Sequence, residues 1–215
     1  MIDLQSVQLL RCLDCGKCTA VCPVARYDQA LSPRRLVRRA LAGRLDGDRD
    51  AVWACLTCMG CDTVCPQEVT ISRLMPRLRE AVRQDGGAPV ATRCGSLDAV
   101  VDLQSRGDVP QNRLEWLPDD VRTDPAGKTL LWVGCAPYLD ALHEDKGVRT
   151  TDSVVAAIRI LNALGIAPQV RADERCCGHD QLWGGEDAVF ERLAAKNVVM
   201  LADAAPDTIV TVCPE

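Results

Sequence analysis

Cys12-Leu13-Asp14-Cys15-Gly16-Lys17-Cys18-Thr19-Ala20-Val21-Cys22-Pro23 is matched later in the chain by Cys55-Leu56-Thr57-Cys58-Met59-Gly60-Cys61-Asp62-Thr63-Val64-Cys65-Pro66. In each run three thiols stand at regular short intervals, a fourth follows a helical turn later, and proline comes directly behind it. Thiolates so spaced in a tight turn can converge on three corners of one iron–sulfur cube, while the fourth points away and serves the other cube. Two [4Fe-4S] clusters are therefore expected, one on Cys12, Cys15, Cys18 and Cys65, the other on Cys55, Cys58, Cys61 and Cys22. Pro23 and Pro66 end the short helices, because proline has no N–H to donate and clashes with the preceding turn. Zinc sites usually draw their ligands as two separated pairs, and neither they nor a disulfide framework account for a run of four with trailing proline that occurs twice.

The 215 residues leave room for two domains. Thirteen cysteines would suggest disulfides in an exported protein, but the stretch from Met1 to Ser6 has no basic n-region and no long apolar h-region. A reducing, cytoplasmic setting is expected, with attachment to a membrane only through a partner, since no apolar run approaches the ~20 residues that cross a bilayer. With only 3% aromatic residues, the core has to be built from Leu, Val, Ile and Ala, with the clusters filling space in the N-terminal part, so folding there should depend on metal. The net charge of −5 is unevenly shared: residues 1–86 hold 13 Lys and Arg against 10 Asp and Glu, the remainder 12 against 20. Cations near an anionic cube stabilise its reduced form. Nucleic-acid binding would require a stronger basic excess with interleaved aromatics, and the sequence has neither.

The N-terminal part, residues 1–86, reads as helical throughout. Residues 3–11 suit a short helix leading into the first run. Ser32-Pro33 is an N-cap followed by proline at the first helical position, and Leu36, Val37, Ala40 and Leu41 repeat at helical spacing up to Gly43. The opposite face carries Arg34, Arg35, Arg38 and Arg39, which suits either docking of an acidic redox partner or plain solvation. Thr70 is placed to cap a helix through Leu74, Leu78 and Val82 that stops at Gly86-Gly87. Residues 87–127 lack sustained periodicity and read as a linker wrapping a surface; Arg113 to Pro118 is a segment that can pack it down, and Cys94 is expected to be a buried small side chain.

From Lys128 the pattern becomes strand, helix, strand, helix, strand: Thr129–Val133, a helix capped by Thr151 or Asp152 and closed by Gly165, Pro168–Val170, a helix through Val189, Leu193 and Val198, and Thr208–Val212. That order implies a small parallel sheet covered by helices. Sites in such sheets form at the C-terminal ends of strands, and there stand Cys135, the vicinal pair Cys176-Cys177, and Cys213. A vicinal pair can bridge neighbouring irons of an open cluster; zinc and a redox-active vicinal disulfide are the other readings. His179, two residues after the pair, is placed to donate to a cluster sulfur or relay a proton. His143 shares no metal-ligand spacing with another histidine, and Gly184-Gly185 lacks the glycine pattern of a nucleotide site.

At these motifs the chain resembles a known family. The N-terminal half is similar to the electron-transfer subunit of heterodisulfide reductase through Cys12-x-x-Cys15-Gly16-Lys17-Cys18, the Ser32-Pro33-Arg34 helix start and the second run ending Cys65-Pro66. The C-terminal half, residues 128–215, resembles the cysteine-rich CCG domain of that enzyme's catalytic component through Gly134-Cys135, Cys176-Cys177-Gly178 and Cys213-Pro214. The same two modules occur in iron–sulfur subunits of glycolate, lactate and glycerol-3-phosphate dehydrogenases. The resemblance implies an all-helical dicluster ferredoxin domain followed by a partial α/β CCG domain, one residue short of the position where the family's last cysteine falls. It implies an oxidoreductase component that passes electrons through two cubanes to a third centre, a non-cubane [4Fe-4S] cluster or zinc, on Cys135, Cys176, Cys177 and Cys213, where a disulfide is cleaved. An electron relay from a flavoprotein dehydrogenase to a quinone or other acceptor is the alternative, with a flavoprotein or membrane-bound redox subunit as partner, and a zinc-holding structural or sensing protein is a third.

Overall fold

The computed structural model describes residues 8–44, 49–87, 95–106, 111 and 113–213. Cys94 and the start of the expected 3–11 helix lie outside them; of that helix, Leu9–Arg11 form a single 3-10 turn. The chain divides into two compact units, residues 1–90 with 180–187, and residues 91–179 with 188–215.

In the first unit the described helices are α1 (Lys17–Val21), α2 (Pro33–Leu41), α3 (Arg49–Ala54), α4 (Gly60–Thr63) and α5 (Ile71–Gln84), joined by most of α9 (His179–Gly184). α2 starts as its sequence dictates: the Ser32 hydroxyl accepts from the Arg35 N–H at 3.3 Å, with Pro33 at the first helical position. Leu36, Val37 and Ala40 are buried, so helical periodicity sends the arginines outward. The core is almost wholly aliphatic, with Leu9, Leu31, Leu74, Met75 and Leu78 at its centre, and six of the eight run cysteines pack against it. Thr70 precedes α5 without making a side-chain cap; the Asp62 carboxylate instead accepts from the Ser72 amide at 3.1 Å and from the Ser72 hydroxyl. The cap is thus supplied by the second cysteine run. α9 lies on α5, where Arg79 donates to the Trp183 carbonyl at 2.8 Å and Arg83 to the Gly184 carbonyl at 2.9 Å, satisfying the open carbonyls at a helix C-terminus. The approach is close enough that a Cβ on Gly185 would fall 2.6 Å from the Pro76 carbonyl oxygen.

The second unit contains α6 (Ser96–Ser105), β1 (Thr129–Trp132), α7 (Ala136–Leu142), α8 (Thr151–Ala163), α10 (Asp187–Ala204) and β2 (Thr208–Thr211). β1 and β2 are parallel, in register Thr129 with Thr208 through Trp132 with Thr211. The expected middle strand is reduced to one bridge, in which Gln169 exchanges both main-chain bonds with β1 at 2.8 and 2.9 Å. Leu130 and Leu131 are both fully buried, so β1 is covered on both faces, whereas β2 is mostly exposed. Within 87–127, which the sequence presents as a linker, α6 buries Val101 and Gln104, and Arg113 is 2% exposed. Trp116 and Leu117 pack on the Leu131, Val154, Ile158 cluster. Short local periodicity hid α6, whose buried face is partly polar. The start of α8 also differs from expectation: Asp140 caps it from α7, accepting from the Thr150 hydroxyl at 2.6 Å, the Thr151 amide at 3.3 Å, and the Thr150 amide and Thr151 hydroxyl.

Candidate metal centres

The two cysteine runs fold alike. The residue before the second cysteine, Asp14 or Thr57, is left-handed, and so is the residue after it, Gly16 or Met59. Such a backbone costs a non-glycine residue about 1 kcal/mol, and here it turns main-chain donors toward sulfur: the Asp14 amide donates to Cys12 Sγ and the Thr57 amide to Cys55 Sγ, each at 3.4 Å. α1 and α4, which carry the chain on to the fourth thiols, pack on each other. That packing crosses the fourth cysteines. Cys12, Cys15, Cys18 and Cys65 line one cavity with Val37, Val69 and Ile71 among its walls; Cys55, Cys58, Cys61 and Cys22 line the other, between Leu31, Leu36 and Met75. Cys65 Sγ also accepts from the Val69 amide at 3.3 Å.

Each cavity therefore offers four thiols, amide donors to sulfur and a largely apolar wall, a donor set that fits a cubane. Among the described residues no three His, Cys, Asp or Glu side chains gather closely enough to hold a single metal ion. Burial raises the Cys18 and Cys55 thiols. Cys61 is raised furthest, first by burial and then by the Asp62 charge. Ionising such thiols requires the positive charge of bound metal, so loading releases protons.

No local pattern in the sequence announces the cation behind the second cavity. Arg79 is 8% exposed; it donates to the Cys55 carbonyl at 2.6 Å and to the Val52 carbonyl at 3.3 Å, and its guanidinium lies over Trp53 at 5.4 Å from the ring centroid. Its position on the buried side of α5, facing the Leu74 and Leu78 stripe, is the one available clue.

In the second unit β1 delivers Gly134-Cys135, and Cys135 Sγ lies 3.2 Å from Cys176 Sγ. Cys176 is buried and its thiol is pushed up to about 12, chiefly by the Cys135 contact. Cys177 is half-buried, while Cys213 is exposed just beyond β2, at the same end of the sheet as Cys135. The structure thus joins two of the four cysteines directly. Gly178 has φ +81°, and a Cβ there would meet the Phe190 ring at 2.9 Å, which accounts for glycine after the vicinal pair. His179 opens α9, and His143 Nδ1 lies 2.7 Å from the Leu139 carbonyl oxygen.

A buried polar frame holds these cysteines. Glu174, fully buried, accepts from the Val133 amide at 3.1 Å, the Gly134 amide at 2.6 Å and Arg113 at 3.0 Å. Arg113 also donates to the Gly134 carbonyl at 2.8 Å and to Gln104 at 3.3 Å. Gln104 accepts from the Cys176 amide at 2.8 Å, and Asn197 donates to the Cys176 carbonyl at 3.0 Å. Burial pushes the Glu174 carboxyl upward, against the pull of Arg113 and the two amides.

Residues 8–69 match the 4Fe-4S dicluster domain family, and residues 129–215 match the cysteine-rich domain family. A dicluster domain match is thus followed by a cysteine-rich domain match, and the first implies two [4Fe-4S] clusters. Over 98% of its length the chain is 27% identical to an uncharacterized iron–sulfur protein of Methanococcus maripaludis, covering 43% of that protein. It is 25% identical, again over 98% of its length, to a component of the dihydromethanophenazine:CoB–CoM heterodisulfide reductase of Methanosarcina barkeri, covering 57% of it. Over 38% of its length it is 37% identical to an iron–sulfur component of the CoB–CoM heterodisulfide reductase of Methanocaldococcus jannaschii, covering 44% of that protein. The chain spans about half the length of the curated relatives it matches.

Proposed function

We propose that the chain is the electron-transferring iron–sulfur component of an oxidoreductase of the heterodisulfide reductase kind. Cys12, Cys15, Cys18 and Cys65 hold one cubane, and Cys55, Cys58, Cys61 and Cys22 the other. The observation that carries this reading is the crossing of the fourth cysteines, Cys65 into the cavity of the first run and Cys22 into that of the second. When bound, each cluster supplies a reversible one-electron step. The chain's own residues set the conditions for it: apolar walls keep water out, the Asp14 and Thr57 amides donate to cluster thiolates, and Arg79 places a cation behind Cys55.

Cys135 and Cys176, 3.2 Å apart, with Cys177 next to them and Cys213 at the same end of the sheet, would hold the third centre; a non-cubane [4Fe-4S] cluster there would supply electron transfer, whereas zinc would make the site structural. Glu174, Arg113, Gln104 and Asn197 fix the main chain on either side of Cys135 and Cys176, so that the thiols approach a ligand from a preset backbone. Beside them the disulfide of a thiol cofactor accepts two electrons and two protons and leaves as two thiols. Similarity to components of two enzymes named for the CoB–CoM heterodisulfide supports that substrate class. Further redox subunits, a flavoprotein or a membrane-bound carrier among them, are the partners; among the described residues no helix is long and apolar enough to cross a membrane.

The test is anaerobic reconstitution with iron and sulfide, followed by paramagnetic resonance with and without the CoB–CoM heterodisulfide. A new signal on adding the disulfide, and release of thiol when a reductant is supplied, are expected. A chain that carries clusters but gives neither response overturns the disulfide chemistry.

A further inference from the structure

Val101 and Gln104 stand one turn apart on the buried face of α6. Val101 packs against Cys176 and Leu193, and Cys135 borders the same cluster. Gln104, 1% exposed, is thereby held beside the two cysteines whose sulfurs approach to 3.2 Å. Its amide oxygen accepts from the Cys176 N–H at 2.8 Å and from Arg113 at 3.3 Å. Both neighbours are donors, so turning the amide over would set N–H against N–H, and its orientation is fixed. The amide nitrogen, on the other arm, is buried and has no hydrogen-bond partner among the described residues.

Leaving a buried donor unpaired costs about 1–3 kcal/mol. The oxygen alone braces Cys176 and Arg113; the N–H groups are what an amide adds at this position. Arg113, 2% exposed, repeats the pattern, since its Nε is likewise buried without a partner. In the frame of Glu174, Arg113, Gln104 and Asn197 both orphaned atoms are donors, and they belong to side chains that bond the Cys176 amide and the Gly134 carbonyl just before Cys135. Such a frame is suited to a partner that is anionic and only accepts. The sulfides of an iron–sulfur centre are of that kind, and N–H bonds to cluster sulfur are one of the levers on its potential.

We propose that the Gln104 side-chain amide donates to a sulfide of the centre held by Cys135 and Cys176, with Arg113 locking the amide in the orientation that permits it. The proposal rests on the reading of that centre as an iron–sulfur cluster. The bond favours the more negative, reduced state, so Gln104 raises the potential of the centre and strengthens its retention. Gln104 makes no bond to iron and gives up no proton.

The experiment uses the full chain, reconstituted anaerobically with iron and sulfide and labelled with nitrogen-15 in its glutamine side-chain amides. Pulsed paramagnetic resonance on the reduced third centre is expected to show a nitrogen-15 coupling, which Gln104→Glu abolishes. Gln104→Glu keeps the oxygen that the Cys176 amide and Arg113 bond but carries no N–H; Gln104→Met has neither, and adds no charge. Both should hold the iron of the third centre about tenfold more weakly against a chelator, at a more negative potential, with the signals of the two cubanes unchanged. Weakening in the Met variant alone would leave Gln104 a support for the Cys176 amide, and weakening in the Glu variant alone would leave only charge repulsion; either result overturns the proposal. So would a nitrogen-15 coupling that appears only after a thiol or disulfide is added, which would assign the donor to a substrate sulfur. An unmodified chain without a third signal, its iron stopping at about the eight that two cubanes account for, contradicts the iron–sulfur reading itself, whereas a third signal without the coupling overturns the proposal alone.

Discussion

The Arg79 guanidinium donates at 2.6 Å to the carbonyl of Cys55, the first thiol of the second run. A buried cation thus lies directly behind one cluster site, and it also bonds the carbonyls of Val52 and Trp183. Arg79→Leu leaves these carbonyls without their donor and removes a buried positive charge. The reduced form of the second cluster then loses stabilisation, so its potential should move negative while the first stays unchanged. A loss of about 3 kcal/mol in stability is expected. Redox titration and chemical unfolding of the loaded variant check both; an unmoved potential would remove Arg79 from the account.

Arg113 and Glu174 form an ion pair at side-chain exposures of 2% and 0%. Removing one partner strands a buried charge, so Glu174→Ala should cost about 3–5 kcal/mol, while Arg113→Met/Glu174→Leu should recover only the part due to that charge, because the Val133 and Gly134 amides and the Gly134 carbonyl stay without their partners. Unfolding curves for the two single variants and the double variant measure the coupling. Additive losses would show that the pair does not act as a unit.

Asp140 gives a pH dependence. Burial raises its carboxyl, but the hydrogen bonds from Thr150 and Thr151 outweigh burial and hold it below the usual Asp value, about 3.9 in an unfolded chain. A carboxyl depressed by folding adds stability above its unfolded value, and that stability is lost as pH falls through the folded value. Asp140→Asn should therefore be less stable than the unmodified chain at pH 7, by about 1 kcal/mol, and the gap should close as pH falls through the depressed folded value of the carboxyl. Thermal unfolding across that range tests it, and a pH-independent gap would contradict the linkage.

Much of this was legible in the residues. The thiol spacing placed both cavities, Ser32-Pro33 placed the start of α2, and alternating runs of apolar residues placed β1 and β2, because each signal is local. What escaped was tertiary. α5 and α8 receive their caps from Asp62 and Asp140, carboxylates on other helices, which no local pattern announces. Gln104 sits in a stretch that reads as a surface linker and Arg113 opens the segment expected to pack it down; both are buried, where Glu174 pairs with Arg113 and the Cys176 amide donates to Gln104. Residues 180–187 follow the vicinal pair in sequence but pack with the first unit, since Arg79 and Arg83 satisfy the end of α9.

The central claim is the exchange of fourth ligands between the two runs, and the most direct measurement compares the surviving cluster in four single variants by paramagnetic resonance after anaerobic reconstitution. Cys22→Ser should leave the same spectrum as Cys58→Ser, because both damage the second cavity, and Cys65→Ser the same spectrum as Cys15→Ser, because both damage the first. If Cys22→Ser instead matches Cys15→Ser, each run keeps its own fourth thiol and the crossed assignment is wrong.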